Sequence, residues 1–341
     1  MKSAKIFWTT SIILMILGGA YLYYVQHNEG ALPSFVNKHT FNKKYIVKKA
    51  GKVIDDADTL EEAVAKAEQV KRGIAVNTYN NTWVYSDLYP FMIITENAIH
   101  DFENFDEAVK YAKHYGYEEI YYKNDKDVIW SANISLKNDI MLKVPLIKQL
   151  PELPRGCEVT SLAMILKYRG IDVDKMQLAK EVKKDLTPYS VDEKGKIHYG
   201  NPYEGFVGDM YDKSKNGYGV YHGPIVELAQ SYFGNKAIDL TGLEFEEVLY
   251  MVQQGNPAWV IINGSYDALD DSYFDIWHTP TGIVKITTRL HSVVITGFSE
   301  DKIYINDPLR NGTNIEVDKE KFKKAWEQMG NQAMTILNEY I

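Results

Sequence analysis

The sequence predicts an α+β protein: a helical part followed by an antiparallel sheet, preceded by a tandem β-rich module and an N-terminal apolar span. Three observations carry this. Residues 6–25 form a twenty-residue run without a charge, residues 44–135 contain an internal repeat, and beyond residue 136 legible helices precede most of the strand-like runs. Helices gathered before strands suit an α+β domain better than alternating βαβ units.

The bulk numbers set the frame. A chain of 341 residues with 45% apolar and 25% charged side chains is long enough for two domains and has an ordinary globular composition. Net charge is −8, and no Lys/Arg-rich patch interleaved with aromatics occurs, so nucleic acid is not an expected partner.

At the N-terminus, Lys2 and Lys5 precede the apolar run. Twenty residues can cross a bilayer as a helix, with Trp8 near one interface and Tyr21, Tyr23 and Tyr24 near the other. A cleaved signal peptide is the competing reading, with Gly18-Gly19-Ala20 as small residues, but the apolar stretch continues through bulky side chains past Ala20. The expectation is an anchor over 1–28, a linker over 29–43, and everything after it outside the cytoplasm.

The repeat has a period of 45 and no gap. VIDDADTLEEAVAKA at 53–67 aligns with AIHDFENFDEAVKYA at 98–112, and WVYS at 83–86 with VIWS at 128–131. Each copy reads strand, strand, helix, strand, strand. Thr59 with Glu62, and Asn104 with Glu107, have capping-box spacing ahead of the helices. Asn80-Asn81 and Asn124-Asp125 mark the closing hairpins. Two such units are expected to bury each other's faces. No set of catalytic residue types recurs in both, so the module over 44–135 reads as a spacer or binding element.

From 136 to 341 Gly and Pro punctuate regularly. Helices are expected over 159–168, over 224–233 with Pro224 at its first position, over 243–254 behind a Thr241–Glu244 capping box, and over 319–329. Strands are expected over 258–263, 291–298, 302–307 and 333–337.

The chemistry centres on the sole cysteine. In QLPELPRGCEVTSLAMIL (149–166), Gly156 stands where a helix begins and Cys157 falls in its first turn. Unpaired N–H groups and the positive dipole end there favour a thiolate. The bland alternative is a buried cysteine acting as a small hydrophobe. One cysteine precludes an internal disulfide, and in an exported chain such a thiol is incidental or reactive. His291 opens an apolar strand, and Asp307 ends the strand that returns beside it. A three-residue loop at 299–301 would pair Phe298 with Lys302 and Val293 with Asp307, so that His291 and Asp307 share a face. A two- or four-residue loop would separate them unless a bulge intervenes, with Gly297 the obvious position. Gln149 is a candidate oxyanion donor beside the Cys157 backbone N–H. Candidate substrate contacts are Gly156 and Glu158 flanking the cysteine, and Gly205, Phe206, Tyr221 and His222 in the Gly- and aromatic-rich stretches 200–211 and 216–224. Those stretches read equally as compact loops, and His222 as a helix cap. Asp209 is a weaker candidate. The acidic run 267–275, with Asp270 and Asp271, lacks EF-hand spacing and reads as solvated loop. With no HExxH, no cysteine pair and no GxSxG, neither a metal, a cofactor nor a serine nucleophile is expected.

The segment Q-L-P-E-L-P-R-G-C-E-V-T-S-L, the later H-S-V-V-I-T-G-F and the closing I-N-D-P resemble the bacteriocin-processing-peptidase-like family of papain-type cysteine peptidases, over roughly residues 140–341. The resemblance implies a papain-like fold with Cys157 as nucleophile, His291 as base, Asp307 orienting it and Gln149 assisting the oxyanion. In the family's leader peptidases the glutamine stands closer to its cysteine than the eight residues here. The best-known members are fused to ATP-driven exporters and cut after a double glycine. This chain has no P-loop motif and one apolar span, and looks more like the stand-alone, exported branch. The expected function is an extracytoplasmic peptidase or amidase acting on a peptide or protein substrate. The alternative from another class is a non-catalytic cell-surface module that binds peptide or wall polymer.

Overall fold

The computed structural model describes residues 43–338. The expected span at 6–25 and nearly all of the linker lie outside the described residues, and no described helix is long and apolar enough to cross a membrane.

The repeat folds as its pattern dictates. The first copy is β1 (Tyr45–Lys49), β2 (Lys52–Ala57), α1 (Leu60–Glu68), β3 (Gly73–Asn77) and β4 (Thr82–Ser86). The second is β5 (Phe91–Ile94), β6 (Ile99–Phe102), α2 (Phe105–Tyr115), β7 (Glu119–Tyr122) and β8 (Val128–Ser131). Both sheets have the same order, β2-β1-β3-β4 and β6-β5-β7-β8, and both carry a register shift at the equivalent step, Ala75/Val76 and Ile120/Tyr121. Thr59 caps α1 by accepting the Glu62 N–H at 3.1 Å, whereas Asn104 occupies the cap position of α2 without a side-chain bond.

The two copies do not bury each other. The first has a small core of its own around Tyr45, Val47, Ala63 and Ala67. The second contributes Phe91, Phe105, Ile120 and Trp130 to one continuous core with the C-terminal domain. Across that joint Trp130 Nε1 and the Lys113 ammonium donate to Glu247 at 2.7 and 2.8 Å. The boundary expected at 135/136 is therefore a boundary of sequence pattern, not of packing.

The C-terminal domain opens with β9 (Ile140–Met141), α3 (Cys157–Tyr168) and α4 (Lys175–Glu181). Four two-residue strands follow: β10 (Lys184–Asp185), β11 (Ser190–Val191), β12 (Ile197–His198) and β13 (Phe206–Val207). Then come α5 (His222–Phe233), β14 (Ala237–Asp239), α6 (Phe245–Gln253) and β15 (Ala258–Asn263). A hairpin of β16 (Asp275–Thr279) and β17 (Gly282–Ile286) precedes β18 (Leu290–Phe298), β19 (Lys302–Asn306), β20 (Ile315–Asp318), α7 (Lys319–Gln328) and β21 (Ala333–Ile336). The central sheet is antiparallel in the order β14-β21-β15-β18-β19-β20, with β9 also on β18. Alternation along β15 divides its side chains: Trp259 and Ile261 face the core shared with α3 and α5, Val260 and Ile262 the core shared with α6 and α7.

Several boundaries differ from expectation for local reasons. Helix α5 begins at His222, so Pro224 is its third residue, tolerable because first-turn N–H groups have no intrahelical partner. The capping box of α6 is Glu244 with Glu247, while Thr241 bonds Ala333. The hairpin β16–β17 starts at the last residue of the acidic run 267–275, in a stretch for which the sequence suggested no element.

The turn joining β18 to β19 is also not the expected one. Phe298 pairs with Ile303, and a bond from the Ser299 N–H to the Lys302 carbonyl closes a turn over Glu300-Asp301. That register alone would put His291 and Asp307 on opposite faces. A bulge between Ile295 and Gly297 restores Val294 to Asn306, and so returns both to one face. Gly297 is required there, since a Cβ would lie 2.0 Å from the Ile140 carbonyl oxygen. We predict that Gly297→Ala loses about 1–3 kcal/mol, seen as a lower urea midpoint with an unchanged slope.

Candidate active site

Helix α3 is buried along most of its length, and its first turn meets the start of β18. Gly156 is its N-cap; a Cβ there would come within 2.6 Å of the Leu153 Cβ. The Ser161 hydroxyl donates to the Ser292 carbonyl at 3.1 Å, fastening the helix one residue past His291. The backbone N–H groups of Cys157 and Ser292 face the sulfur and favour the thiolate. They are outweighed. Burial, then the charge of Glu158 and its contact with the thiol at 3.4 Å, push the Cys157 thiol well above its ordinary value. The helix start alone therefore does not set the sulfur's ionisation: burial and Glu158 work against it.

His291 and Asp307 come together as the alternation requires. Nε2 of His291 lies 2.8 Å from Asp307 Oδ1, and both residues are buried. The Leu309 N–H donates to the same oxygen at 2.8 Å. The Tyr266 hydroxyl donates to Oδ2 at 2.5 Å, and Arg310 Nε stands 3.5 Å from it. Burial opposes ionisation of Asp307, but the bonds from His291, Tyr266 and Leu309 hold it at about 2. An ionised carboxylate only accepts, so the imidazole proton sits on Nε2 and Nδ1 keeps a free lone pair.

Gln149 is buried, its backbone N–H on the Pro308 carbonyl at 3.1 Å. Its Nε2 donates to the Leu153 and Pro154 carbonyls at 3.0 and 3.3 Å, and its Oε1 has no partner. The amide donors therefore point at backbone carbonyls, not at the sulfur.

Most expected substrate contacts have structural jobs instead. Glu158 is buried, its Oε1 taking the Val220 N–H at 3.1 Å. Gly156 is the helix cap. Gly205 passes so close to Lys184 and Asp185 that a Cβ would lie 2.6 Å from backbone atoms. Phe206 is a core residue. Tyr221 is buried with its hydroxyl 2.9 Å from that of Tyr218, though with Tyr203, Phe274 and Ile283 it bounds a cavity of about 270 Å³. His222 is half-buried and pairs through Nδ1 with Asp239 at 2.7 Å. Asp209 closes a turn on the Tyr211 and Asp212 N–H groups, Asp270 caps Ser272, and Asp271 pairs with Lys285. Among the described residues no three His, Cys, Asp or Glu side chains converge as metal ligands.

Sequence reasoning missed Tyr266, Arg310 and Ser292. Ser292 adjoins His291, and Arg310 lies three residues past Asp307. Nothing marks Tyr266 among 25 tyrosines.

Residues 141–334 match the family model described as the Peptidase C39-like family. The chain belongs to that family. The match starts at β9 and runs into β21, taking in Cys157, His291 and Asp307 and leaving out the repeats. The chain is 42% identical over 216 residues to the uncharacterized protein YvpB of Bacillus subtilis (strain 168), covering 62% of this chain and 82% of that one. It is 47% identical to a Bacillus anthracis protein of known crystal structure assigned as a C39-like peptidase, with TM-score 0.55, over 60% of this chain and 99% of that one.

The Glu158 carboxyl beside the thiol yields a prediction. Burial pushes it up to about 7, against smaller opposing help from its own backbone and Val220. A raised carboxyl binds its proton more tightly folded than unfolded. The stability it contributes is complete below about pH 4 and lost as pH rises through about 7, on the order of 3 kcal/mol. Glu158→Gln should flatten the fall in melting temperature between pH 5 and 8. It should also speed iodoacetamide labelling of Cys157 several-fold at pH 8, where the parent carboxylate is charged. An unchanged rate would exclude Glu158 as a brake on the thiol.

Proposed function

We propose that this chain is a membrane-anchored, extracytoplasmic cysteine peptidase or amidase that cleaves a peptide or isopeptide bond on a papain-like fold. The observation that carries the reading is the buried 2.8 Å pair of His291 and Asp307, adjoining the N–H of Ser292 that faces the Cys157 sulfur. In this mechanism the Cys157 sulfur attacks the substrate carbonyl carbon while its proton passes to Nδ1 of His291, and the carbonyl π pair moves onto oxygen. The Cys157 backbone N–H, one of the unpaired donors at the start of α3, stabilises that oxygen; Gln149 assists only if substrate draws its amide from the Leu153 and Pro154 carbonyls. Collapse expels the amine, which takes the proton from His291 and leaves an acyl-enzyme. Water, deprotonated by the same nitrogen, then releases the acid and restores the thiol. Asp307 holds the imidazole tautomer and stabilises its charged form. Because burial and Glu158 favour the protonated sulfur, removal of its proton falls to the base.

The apolar run at 6–25 behind Lys2 and Lys5 supports the anchor and the outward-facing domain. The raised thiol also suits the second reading, a surface module that binds without cleaving. The discriminating comparison is of surface proteins from cells carrying the parent chain and Cys157→Ala. The enzyme reading expects a proteolytic or wall-derived fragment that disappears with the sulfur. Once a substrate is in hand, His291→Ala should lower turnover by about 10²–10⁴-fold. An identical set of fragments in both cells, together with His291-independent labelling of Cys157, would leave the binding module as the better account.

A further inference from the structure

Tyr266 is held in a conformation that its residue type disfavours. Its φ is +54°, in the left-handed region where a bulky non-glycine side chain is an outlier. Such a backbone persists only where its surroundings over-determine it, and such outliers gather at functional sites. The turn after β15 supplies the constraint. Asn263 is fully buried, its Oδ1 accepting from the N–H and hydroxyl of Ser265 at 3.0 and 2.5 Å, its Nδ2 donating to the Asp267 carbonyl at 2.9 Å. The Tyr266 N–H closes back on the Asn263 carbonyl at 3.2 Å.

This turn delivers a phenol to one atom. The Tyr266 hydroxyl donates to Asp307 Oδ2, the oxygen that His291 does not use. The Arg310 guanidinium lies 4.9 Å from the ring centroid and the Phe322 ring stacks at 6.3 Å, so two neighbours pack against the ring. The charged and titratable groups around the phenol are Asp307, Arg310 and Cys157. A phenylalanine would fill the same space without burying a hydroxyl.

We infer that Tyr266 is a positioning residue for the Asp307–His291 pair, its hydroxyl fixing the carboxylate's rotation so that Oδ1 stays on Nε2 and Nδ1 stays free for the sulfur. The inference rests on the proposed roles of Cys157 and His291, acting on the thiol through two intermediaries. Without the phenol, Oδ2 keeps only the 3.5 Å approach of Arg310 beside the Leu309 bond to Oδ1, and the carboxylate turns more freely about its Cβ–Cγ bond, loosening the imidazole's fixed tautomer.

The test is a double-mutant cycle on the full chain, read by the rate at which iodoacetamide labels Cys157. The parent, Tyr266→Phe, His291→Ala and the double variant are compared at pH 7.5. The expected result is a roughly tenfold slowing by Tyr266→Phe in the parent and none in the His291→Ala background. The buried Nε2 proton of His291 should move upfield in the ¹H spectrum of Tyr266→Phe. Equal slowing in both backgrounds, no slowing beside an unmoved proton, or loss of the folded state each overturns the inference. Failure of the underlying reading looks different: His291→Ala would then label as fast as the parent, whatever Tyr266→Phe does.

Discussion

Everything at the site hangs on one supernumerary residue in β18. Side chains alternate across a strand, so the two-residue turn over Glu300-Asp301 would by itself aim His291 and Asp307 to opposite sides of the sheet. Thr296 is the extra residue that corrects this, and its carbonyl and hydroxyl both find partners. Its carbonyl takes the Leu142 N–H at 2.7 Å, and its hydroxyl reaches the Tyr304 carbonyl and Asn314 Oδ1 at 3.1 and 2.6 Å. A bulge normally leaves an unpaired group that weakens the ladder. Here β9 pairs where the bulge lies, so the correction in register and the attachment of the segment leading to Cys157 are one event.

The sulfur sits between opposing influences of similar kind. A helix start and the Ser292 N–H favour charge on it; the low-dielectric surroundings and the Glu158 carboxylate resist. Glu158 cannot swing away, because it also holds the Val220 N–H, and Gly219 leaves room for it where a Cβ would lie 2.2 Å from its Oε1. The carboxyl that restrains the thiol is thus also a strut between α3 and the stretch at 216–221. The C39-like family match spans both segments.

Where pattern and packing coincide, the sequence was readable. The apolar run of β15 and the helix behind Gly156 follow from burial, and the equal spacing of two similar segments predicted the same succession of strands and helix in both copies, though not the strand order within their sheets. The His291–Asp307 pairing was legible as a choice among turn lengths, with the bulge as one branch. Other features left no local trace. The hairpin β16–β17 exposes Ile276 and Ile283, so apolar side chains stand on both of its faces and no clean alternation marks it. The glycines at 205 and 219 look like cleft-lining flexibility, yet they mark close approach of other chain segments, which composition cannot distinguish. Tyr266 reaches Asp307 across 41 residues by a strained turn, and no periodicity encodes that.

The uneven attachment of the two repeats sets the mechanical character of the chain. The first meets the second through polar links such as Arg72 with Asp101 and the Lys126 ammonium on the Asn80 carbonyl, and keeps a small core to itself. The second shares its hydrophobic interior with α6 and α7, clamped by Trp130, Lys113 and Glu247. Unfolding free energy is distributed by packing and not by ancestry. The shared hydrophobic interior therefore begins near residue 90, some fifty residues before the matched family does, and the first repeat adds only a small core of its own.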